Sequence, residues 1–422
     1  MTTTTLLQTK LRADRRRVTL GISLLVVGFL MIVLFLRDSQ PGQQATFGMN
    51  LIGTSQAIPI PDLTLPVQPT LYALIAVTFF LGAWQIARGI RSTGWLITVV
   101  VFCFIASFLM WATKGSSFNL VGMLSNSMAS ATPIALAALC GVISERAAVV
   151  NIGIEGTMLM SAQTAVVSAT LTHNLFVGLI VAILTGALVA GIHAILVIRF
   201  RMDQIVSGTA INILGTGGTS FIAKFYLEKQ IDLLNNSSTF PIISIPLLSK
   251  IPVLGPIFFE NNLIFYLTLL LVAAIYILLF YTPWGLRTRA VGEHPKAADT
   301  LGINVYLMRY VNVILGGMIA GIGGAYFTIG SVGRFDQNMT GGKGFIGLAA
   351  MIFGNWNPIG AYLSSLLFGF ADSLQVKMEI LSVPIPSEFL AMAPYIVTII
   401  VLTGVVGRAI PPAADGKPYE KQ

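Results

Sequence analysis

Pro283-Trp-Gly-Leu-Arg-Thr-Arg-Ala-Val-Gly-Glu-His-Pro-Lys-Ala-Ala-Asp-Thr-Leu-Gly-Ile-Asn304 is a polar island between two apolar runs of membrane length, roughly 263–281 before it and 308–330 after it. Connections between membrane helices are commonly short and plain, but this one carries its own helix signals. Pro295 follows His294 at a first-turn position, where a missing N–H costs nothing. Gly302 falls where a left-handed C-terminal stop is required. Between them, Lys296-Ala-Ala-Asp-Thr-Leu301 spells a helix of under two turns. A helix that short is unstable alone in water, so a membrane surface or a partner protein must hold it. The pattern is that of a docking element presented beside a membrane.

Composition sets the class. The 422 residues are 55% hydrophobic and only 10% charged, with mean hydropathy +0.82, whereas a soluble domain carries about 25% charge. The expected fold is all-α: a polytopic membrane protein of about 10–12 transmembrane or re-entrant helices with one short cytoplasmic helix. Spans read near 18–36, 70–87, 94–112, 120–143, 148–171, 175–198, 205–223, 263–281, 308–330, 343–354, 359–376 and 389–407. The segment at 343–354 is too short for a full crossing at about 1.5 Å per residue and reads as a re-entrant half-helix. Lys10, Arg12, Arg15, Arg16 and Arg17 precede the first run, Val18 to Leu36. That run exceeds a signal-peptide core and no small-residue cleavage site follows, so it reads as a first span. Cys103 and Cys140 both fall inside apolar runs, as packing residues rather than a disulfide or metal framework.

With the N-terminus inside and strict alternation, 17 of the 25 Lys and Arg residues fall on the cytoplasmic side. The net charge of +8 is therefore topological, an anchor to lipid headgroups rather than a nucleic-acid surface. Both termini and the island are expected on the cytoplasmic side of the membrane. The two longest outer loops, 38–69 and 224–262, are rich in Pro, Asn, Ser and Gln. They read as structured external surface, a landing site for another protein.

Ser144-Glu-Arg-Ala-Ala-Val-Val-Asn-Ile-Gly-Ile-Glu-Gly156 interrupts one apolar run. Asn151 and Glu155, four apart, would share a helix face, while Gly153 and Gly156 weaken the helix locally. Glu155 sits in an otherwise apolar run. It either serves a path through the membrane, or it pairs with Arg146 or caps a neighbouring helix. Thr340-Gly-Gly-Lys-Gly-Phe-Ile-Gly-Leu-Ala-Ala-Met-Ile-Phe-Gly-Asn-Trp-Asn-Pro-Ile-Gly360 gives a second interrupted segment in the other half, and such pairs point to a substrate path. Gly317 and Gly321 form a small-xxx-small pair that suits close helix packing. Asn126 and Asn212 are path candidates, because an amide in lipid needs a partner.

Several chemistries are excluded by missing patterns. Gly342-Lys343 is followed by Gly344, so there is no phosphate-binding P-loop and ATP is not bound that way. His173, His193 and His294 are too scattered to form a metal site. No nucleophile elbow or acidic dyad is present.

Together, Ser144-Glu-Arg…Asn-Ile-Gly-Ile-Glu-Gly156, Ala290-Val-Gly-Glu-His-Pro-Lys-Ala-Ala298 with Gly302-Ile-Asn304, and Gly344-Phe-Ile-Gly-Leu-Ala-Ala-Met-Ile-Phe-Gly-Asn-Trp-Asn-Pro358 resemble the permease family of ATP-binding-cassette importers for simple sugars and nucleosides, closest to the nucleoside branch. The resemblance covers roughly 119–410. The resemblance makes that stretch the permease core (119–410); charge and hydropathy divide the rest into a cytoplasmic basic N-terminus (1–17), N-terminal spans with the external loop 38–69 (18–118), longer than the family's usual start, and a cytoplasmic tail (411–422). The resemblance also implies a coupling helix near 293–302, carried by Glu293, His294, Pro295, Lys296, Ala297, Ala298, Asp299 and Gly302, which seats in a groove on the ATPase. For a nucleoside, donors for ribose hydroxyls and a flat face for the base are expected from Asn126, Asn151, Glu155, Asn212 and Phe345. The implied partners are a separate ATP-binding-cassette ATPase, a second paralogous permease (or a second copy), an external substrate-binding lipoprotein and membrane lipids, with no nucleic acid. No cofactor is expected on this chain. The alternatives are an ion-coupled secondary transporter of small polar solutes and a membrane enzyme with Glu155 as base.

Overall fold

The computed structural model describes residues 3–51, 59–89, 93–381 and 409–421, with isolated positions at 386, 389 and 392; for residues 3–16 only the backbone is described. The span read at 389–407 therefore lies outside the described residues, those isolated positions apart, as do Arg91 and Arg408. The chain forms two compact units, Met1–Gly122 with Val376–Leu390, and Met123–Gln375 with Ala391–Gln422.

The first unit contains α1 (Thr3–Met31), β1 (Gln44–Gly48), β2 (Leu63–Pro66), α2 (Val67–Ala87), α3 (Thr93–Ala112) and β3 (Ser117–Asn119). Leu24, Leu81, Leu96 and Val100 are buried where the three helices meet. Their remaining faces are apolar and open, as expected of surfaces that meet lipid. The loop region is ordered by a small sheet in the order β2-β1-β3, antiparallel between β1 and β2 and parallel between β1 and β3. Phe47 of β1 sits beside Phe118 of β3, with the rings 6.2 Å apart and edge to face.

The second unit begins within α4 (Leu120–Arg146) and continues through α5 (Ile154–Thr172), α6 (Leu175–Ala194), α7 (Gln204–Ile222), α8 (Ile231–Leu234), β4 (Ile242–Ser244), α9 (Leu254–Phe258), β5 (Glu260–Asn262) and α10 (Leu263–Tyr281). The island, α11 (Pro283–Glu293) and α12 (Pro295–Thr300), follows. It leads to α13 (Val305–Phe327), α14 (Lys343–Phe353) and α15 (Pro358–Ile380). Among the described residues nine helices are long and apolar enough to cross a membrane, with α14 a shorter apolar helix. A further long helix, α5, has 19 residues but more polar side chains, and it is buried on almost every side. It is the central post, in contact with α6, α7, α13 and α14. Peripheral helices bury one stripe only. On α10 that stripe is Ile264, Thr268, Val272, Ile275 and Leu279, a helical repeat facing inward. Gly317 and Gly321 pack α13 against α6: a methyl group on either would lie 2.4 Å from a backbone oxygen, of Gly186 or of Ala182. Their role is close packing.

The island holds two helices where the sequence reading assigned one. α12 has the expected punctuation, with Pro295 at its first turn, the His294 ring nitrogen Nδ1 accepting the Ala297 N–H at 3.4 Å, and Gly302 at φ +81°. α11 uses the same device one step earlier. The Thr282 hydroxyl accepts the Gly285 N–H at 3.2 Å, and Pro283 opens the helix. The Thr-Pro pair was therefore a readable start signal that the intervening Gly and Arg residues masked.

Candidate functional site

The stretch between α4 and α5 is not helical. Ala148, at φ +63°, turns the chain, and 149–153 runs back beside α4 without helical hydrogen bonds of its own. Exposed backbone of this kind is tolerated at membrane depth only when protein satisfies it. Here four polar side chains do so. Gln204 Oε1 accepts the Val150 N–H at 2.7 Å, and His193 Nε2 lies 3.0 Å from the Val150 oxygen. The Asn212 amide bridges the break, donating to Ile152 O at 2.9 Å and accepting the Gly156 N–H at 2.8 Å. Asn151 accepts the Gly153 N–H at 3.1 Å and points its amide at Cys140 Sγ, 3.7 Å away. Asn151 and Glu155 therefore share no helix face, because the helix begins only at Ile154. A short polar side chain that bonds its own backbone two residues on competes with helix formation, and Asn151 does this.

A second break lies between α13 and α14. α14 is 11 residues, about 16 Å at 1.5 Å per residue, or half of a hydrocarbon core about 30 Å thick. Its N-terminus is capped from outside by Glu155. Oε1 accepts the Thr340 hydroxyl at 2.5 Å and the Gly342 N–H at 2.8 Å, and Oε2 accepts the Gly344 N–H at 2.6 Å. A carboxylate here satisfies orphan donors and faces the positive end of the helix dipole. Gly344 permits the approach, since a methyl group on it would lie 2.6 Å from Glu155 Oε2 and 2.7 Å from Glu155 Cα. At the other end of α14, Asn355 and Trp356 take successive left-handed conformations, φ +54° and +53°. Glu145 accepts the Trp356 indole N–H at 2.5 Å, while Arg146 donates to Trp356 O at 2.9 Å and to Asn355 O at 3.2 Å. The two interrupted segments thus brace one another at both ends.

Between α5, α7 and the start of α14 lies a cleft of about 650 Å³, walled by Ile152, Glu155, Thr209, Asn212, Ile213, Thr216, Gly217, Asn338, Gly342 and Phe345. This is within the usual range for a small-molecule site, roughly 300–1,000 Å³. Three residues singled out in the sequence meet here, Glu155, Asn212 and Phe345. Asn151 is buried behind the wall, and Asn126 lies exposed on α4 outside it. Thr216, Gly217 and Asn338 were not anticipated. The signal available was Thr216-Gly-Gly-Thr219, a small polar run inside a span, and an Asn three residues before the Gly341-Gly342 break. α5 and α7 approach backbone to backbone behind the cleft: a methyl group on Gly156 would lie 2.5 Å from Ile211 O and 2.8 Å from Asn212 Cα. Gly156→Ala is therefore expected to push the helices apart at a cost of about 1–3 kcal/mol. The check is a thermal midpoint lowered by several degrees in detergent, with Gly191→Ala, where a methyl meets nothing within 4 Å, unchanged.

At the island end of the unit, residues 409–421 lie against α11, α12 and α13. Val291, Ala298, Val305, Met308 and Tyr419 form a buried cluster. The Ala414 N–H donates to Gly292 O at 2.9 Å, the Ala413 N–H to Glu293 Oε2 at 3.3 Å, and Arg309 Nη1 to Lys417 O at 3.1 Å. Arg309 is only 2% exposed and its charge faces Asp415. Burial pushes the Asp415 carboxyl up to about 6, against the lowering effects of hydrogen bonds with Glu145 and the Gly416 N–H and of the Arg309 charge. Glu293, His294, Lys296, Ala297 and Gly302 face outward. Pro295 and Asp299 are half-buried, and Ala298 is turned inward. Leu286 and Leu301 stand 62% and 82% exposed beside them. No cluster of three or more His, Cys, Asp or Glu suited to a metal occurs among the described residues.

Residues 123–405 match the family described as branched-chain amino acid transport system / permease component. The guanosine ABC transporter permease protein NupQ of Bacillus subtilis (strain 168) is 46% identical over 308 residues, 69% of this chain and 94% of that protein. The nucleoside ABC transporter permease protein NupC of Lactococcus lactis subsp. cremoris (strain MG1363) is 43% identical over 311 residues, 71% of this chain and 96% of that protein. The putative glucose ABC transporter permease protein TsgC13 of Haloferax volcanii is 34% identical over 305 residues, 68% of this chain and 92% of that protein. No solved structure matches the chain. Broken helices around a polar-edged cleft, a paired-helix island and this similarity agree: the chain belongs to this permease family, as a membrane-embedded transport component of an ABC transporter rather than an enzyme.

Proposed function

We propose that this chain forms part of the translocation path of an ATP-driven importer, and that its cargo is a nucleoside. The observation that carries the reading is the cleft at the junction of the two broken segments, in the same unit as an exposed two-helix island. Phe345, 46% exposed in the cleft wall, offers a flat apolar face for a base. Thr209, Thr216 and Asn338 offer hydroxyl and amide groups for a ribose. Both amide atoms of Asn212 and both oxygens of Glu155 already serve backbone groups, so these two residues shape the wall more than they bind cargo. Two relatives above 40% identity are named for guanosine and nucleoside transport, which favours a nucleoside over a free sugar.

The bias of 17 of 25 basic residues favours a cytoplasmic position for the island and both termini, and the bacterial relatives favour a bacterial plasma membrane. There α12 and the exposed Leu286 and Leu301 meet an ATPase subunit. A second permease, paralogous or identical, completes the path, and an external lipoprotein delivers cargo to the opposite face. ATP is bound by the ATPase, and its energy reaches this chain only as a difference in contacts between two states. The test is uptake into proteoliposomes holding the full transporter, with labelled guanosine, ribose and glucose presented separately. Saturable, ATP-dependent guanosine uptake is expected; uptake of glucose or ribose without guanosine overturns the cargo assignment.

A further inference from the structure

The half-helix α14 is held at both ends by groups that lead to different places. Its N-terminus caps on Glu155 and carries Phe345 into the cleft. Its C-terminal turn, Gly354 to Asn357, reaches the island end of the unit. There the Asn355 side-chain oxygen accepts the Ile410 N–H at 3.1 Å. From Ile410 the 409–421 segment runs directly onto the island: Ala413 on the Glu293 carboxylate, Ala414 on Gly292 O, Tyr419 inside the Val291–Ala298 cluster, and Lys421 4.0 Å from Asp299. The segment is pinned midway by the buried Arg309, through Lys417 O and the Asp415 charge. α11 thus has a hydrogen-bonded connection to the turn that ends α14, and α12 joins it through the packing of Tyr419 and the Lys421–Asp299 ion pair. That turn is also the strained part of the element. Two consecutive non-glycine residues at φ near +54° are uncommon, and for a bulky Trp the conformation is costly unless its surroundings impose it. Glu145 and Arg146 impose it here through three hydrogen bonds.

We propose that residues 409–421 are a strap gearing the island to α14, so that displacement of the island is delivered to the cleft wall at Phe345, with Asn355 and Asp415 as positioning residues. This deepens the transport reading and rests on the island being the ATPase contact. A helix of under two turns such as α12 is not stable alone, so it cannot act as an independent lever. Strapped to α11, α13 and α14, it moves the half-helix as a rigid piece. The left-handed Asn355–Trp356 turn is where the rotation is absorbed.

The test uses the complete transporter in nanodiscs, with hydrogen exchange read in the nucleotide-free state and with a non-hydrolysable ATP analogue. In the wild type, the analogue is expected to change protection at both 283–304 and 343–353. Asn355→Gly keeps the left-handed backbone and removes the acceptor for Ile410. It is expected to retain the response at 283–304, to lose it at 343–353, and to cut uptake per ATP hydrolysed at least ten-fold. Asn355→Asp, which keeps an acceptor oxygen, is expected to restore both. Asp415→Leu should show the same split as Asn355→Gly. A wild-type response at 283–304 with none at 343–353 overturns the strap while sparing the transport reading. An Asn355→Gly variant that keeps the 343–353 response overturns it too. No response at 283–304 in the wild type overturns the island as ATPase contact, and the strap with it.

Discussion

Glu155→Ala is expected to abolish uptake and to lower sharply the yield of monodisperse protein. The carboxylate is 4% exposed and accepts from Thr340, Gly342 and Gly344 together. Its removal orphans the buried Thr340 hydroxyl and Gly344 N–H at about 1–3 kcal/mol each, and leaves the half-buried Gly342 N–H to water, so the loss is roughly 2–6 kcal/mol. Domain stabilities are about 5–15 kcal/mol, so the substitution removes a large share of what keeps α14 in place. Glu155→Gln is the informative partner. It keeps one oxygen acceptor but turns an amide N–H₂ toward a backbone donor, and an intermediate yield is expected. The measurements are size-exclusion profile and ATP-dependent uptake for both variants. An Ala variant with normal profile and normal uptake would show that α14 is held by its packing on α4 and not by this cap.

The second large effect concerns α12. Ala297→Trp is expected to suppress uptake by about 5–150-fold, the usual span of a coupling free energy, while ATP hydrolysis by the assembled complex persists. Ala297 points away from the permease and contributes nothing to its interior, whereas Ala298, 2% exposed, packs on Val291, Val305, Met308 and Tyr419. Ala298→Trp should therefore fail at assembly, by overpacking, and Ala297→Trp only at transmission. Glu293 is a poorer probe than the sequence alone implied, because its carboxylate also holds the Ala413 N–H. Equal uptake by wild type and Ala297→Trp would argue that the ATPase seats on another surface.

The parts of the fold that sequence made legible are those with local punctuation. α12 could be read because Pro295 and Gly302 bracket it. α14 could be read because a short, largely apolar segment bounded by glycines cannot cross a bilayer. Asn212 was recognised as an amide in need of a partner, and it has two. What could not be read depends on distant residues. The groups that Glu155 caps lie at least 185 positions away, so a local reading offered Arg146 just as readily. Asn151 was placed on a helix face because i, i+4 spacing is the same in any segment, and only the turn at Ala148 removes it. Arg309 stands at the start of an apolar run and reads locally as one more interfacial charge. Its burial depends on the return of residues 409–421, which no periodicity announces.

The polarity of α5 has a consequence for biogenesis. Glu155, Thr157, Ser161, Gln163 and Thr170 are all buried in the finished protein, but a nascent α5 alone would have to present them to hydrocarbon. Polar residues near the centre of a helix oppose its entry from the translocon. α6, strongly apolar, follows it in the chain and packs along it, and Ala137 and Cys140 of the preceding α4 cluster with its Ile154 and Met158. A helix this polar and this enclosed is one that its neighbours must escort into the bilayer, so this part of the molecule is expected to insert as a group and not span by span.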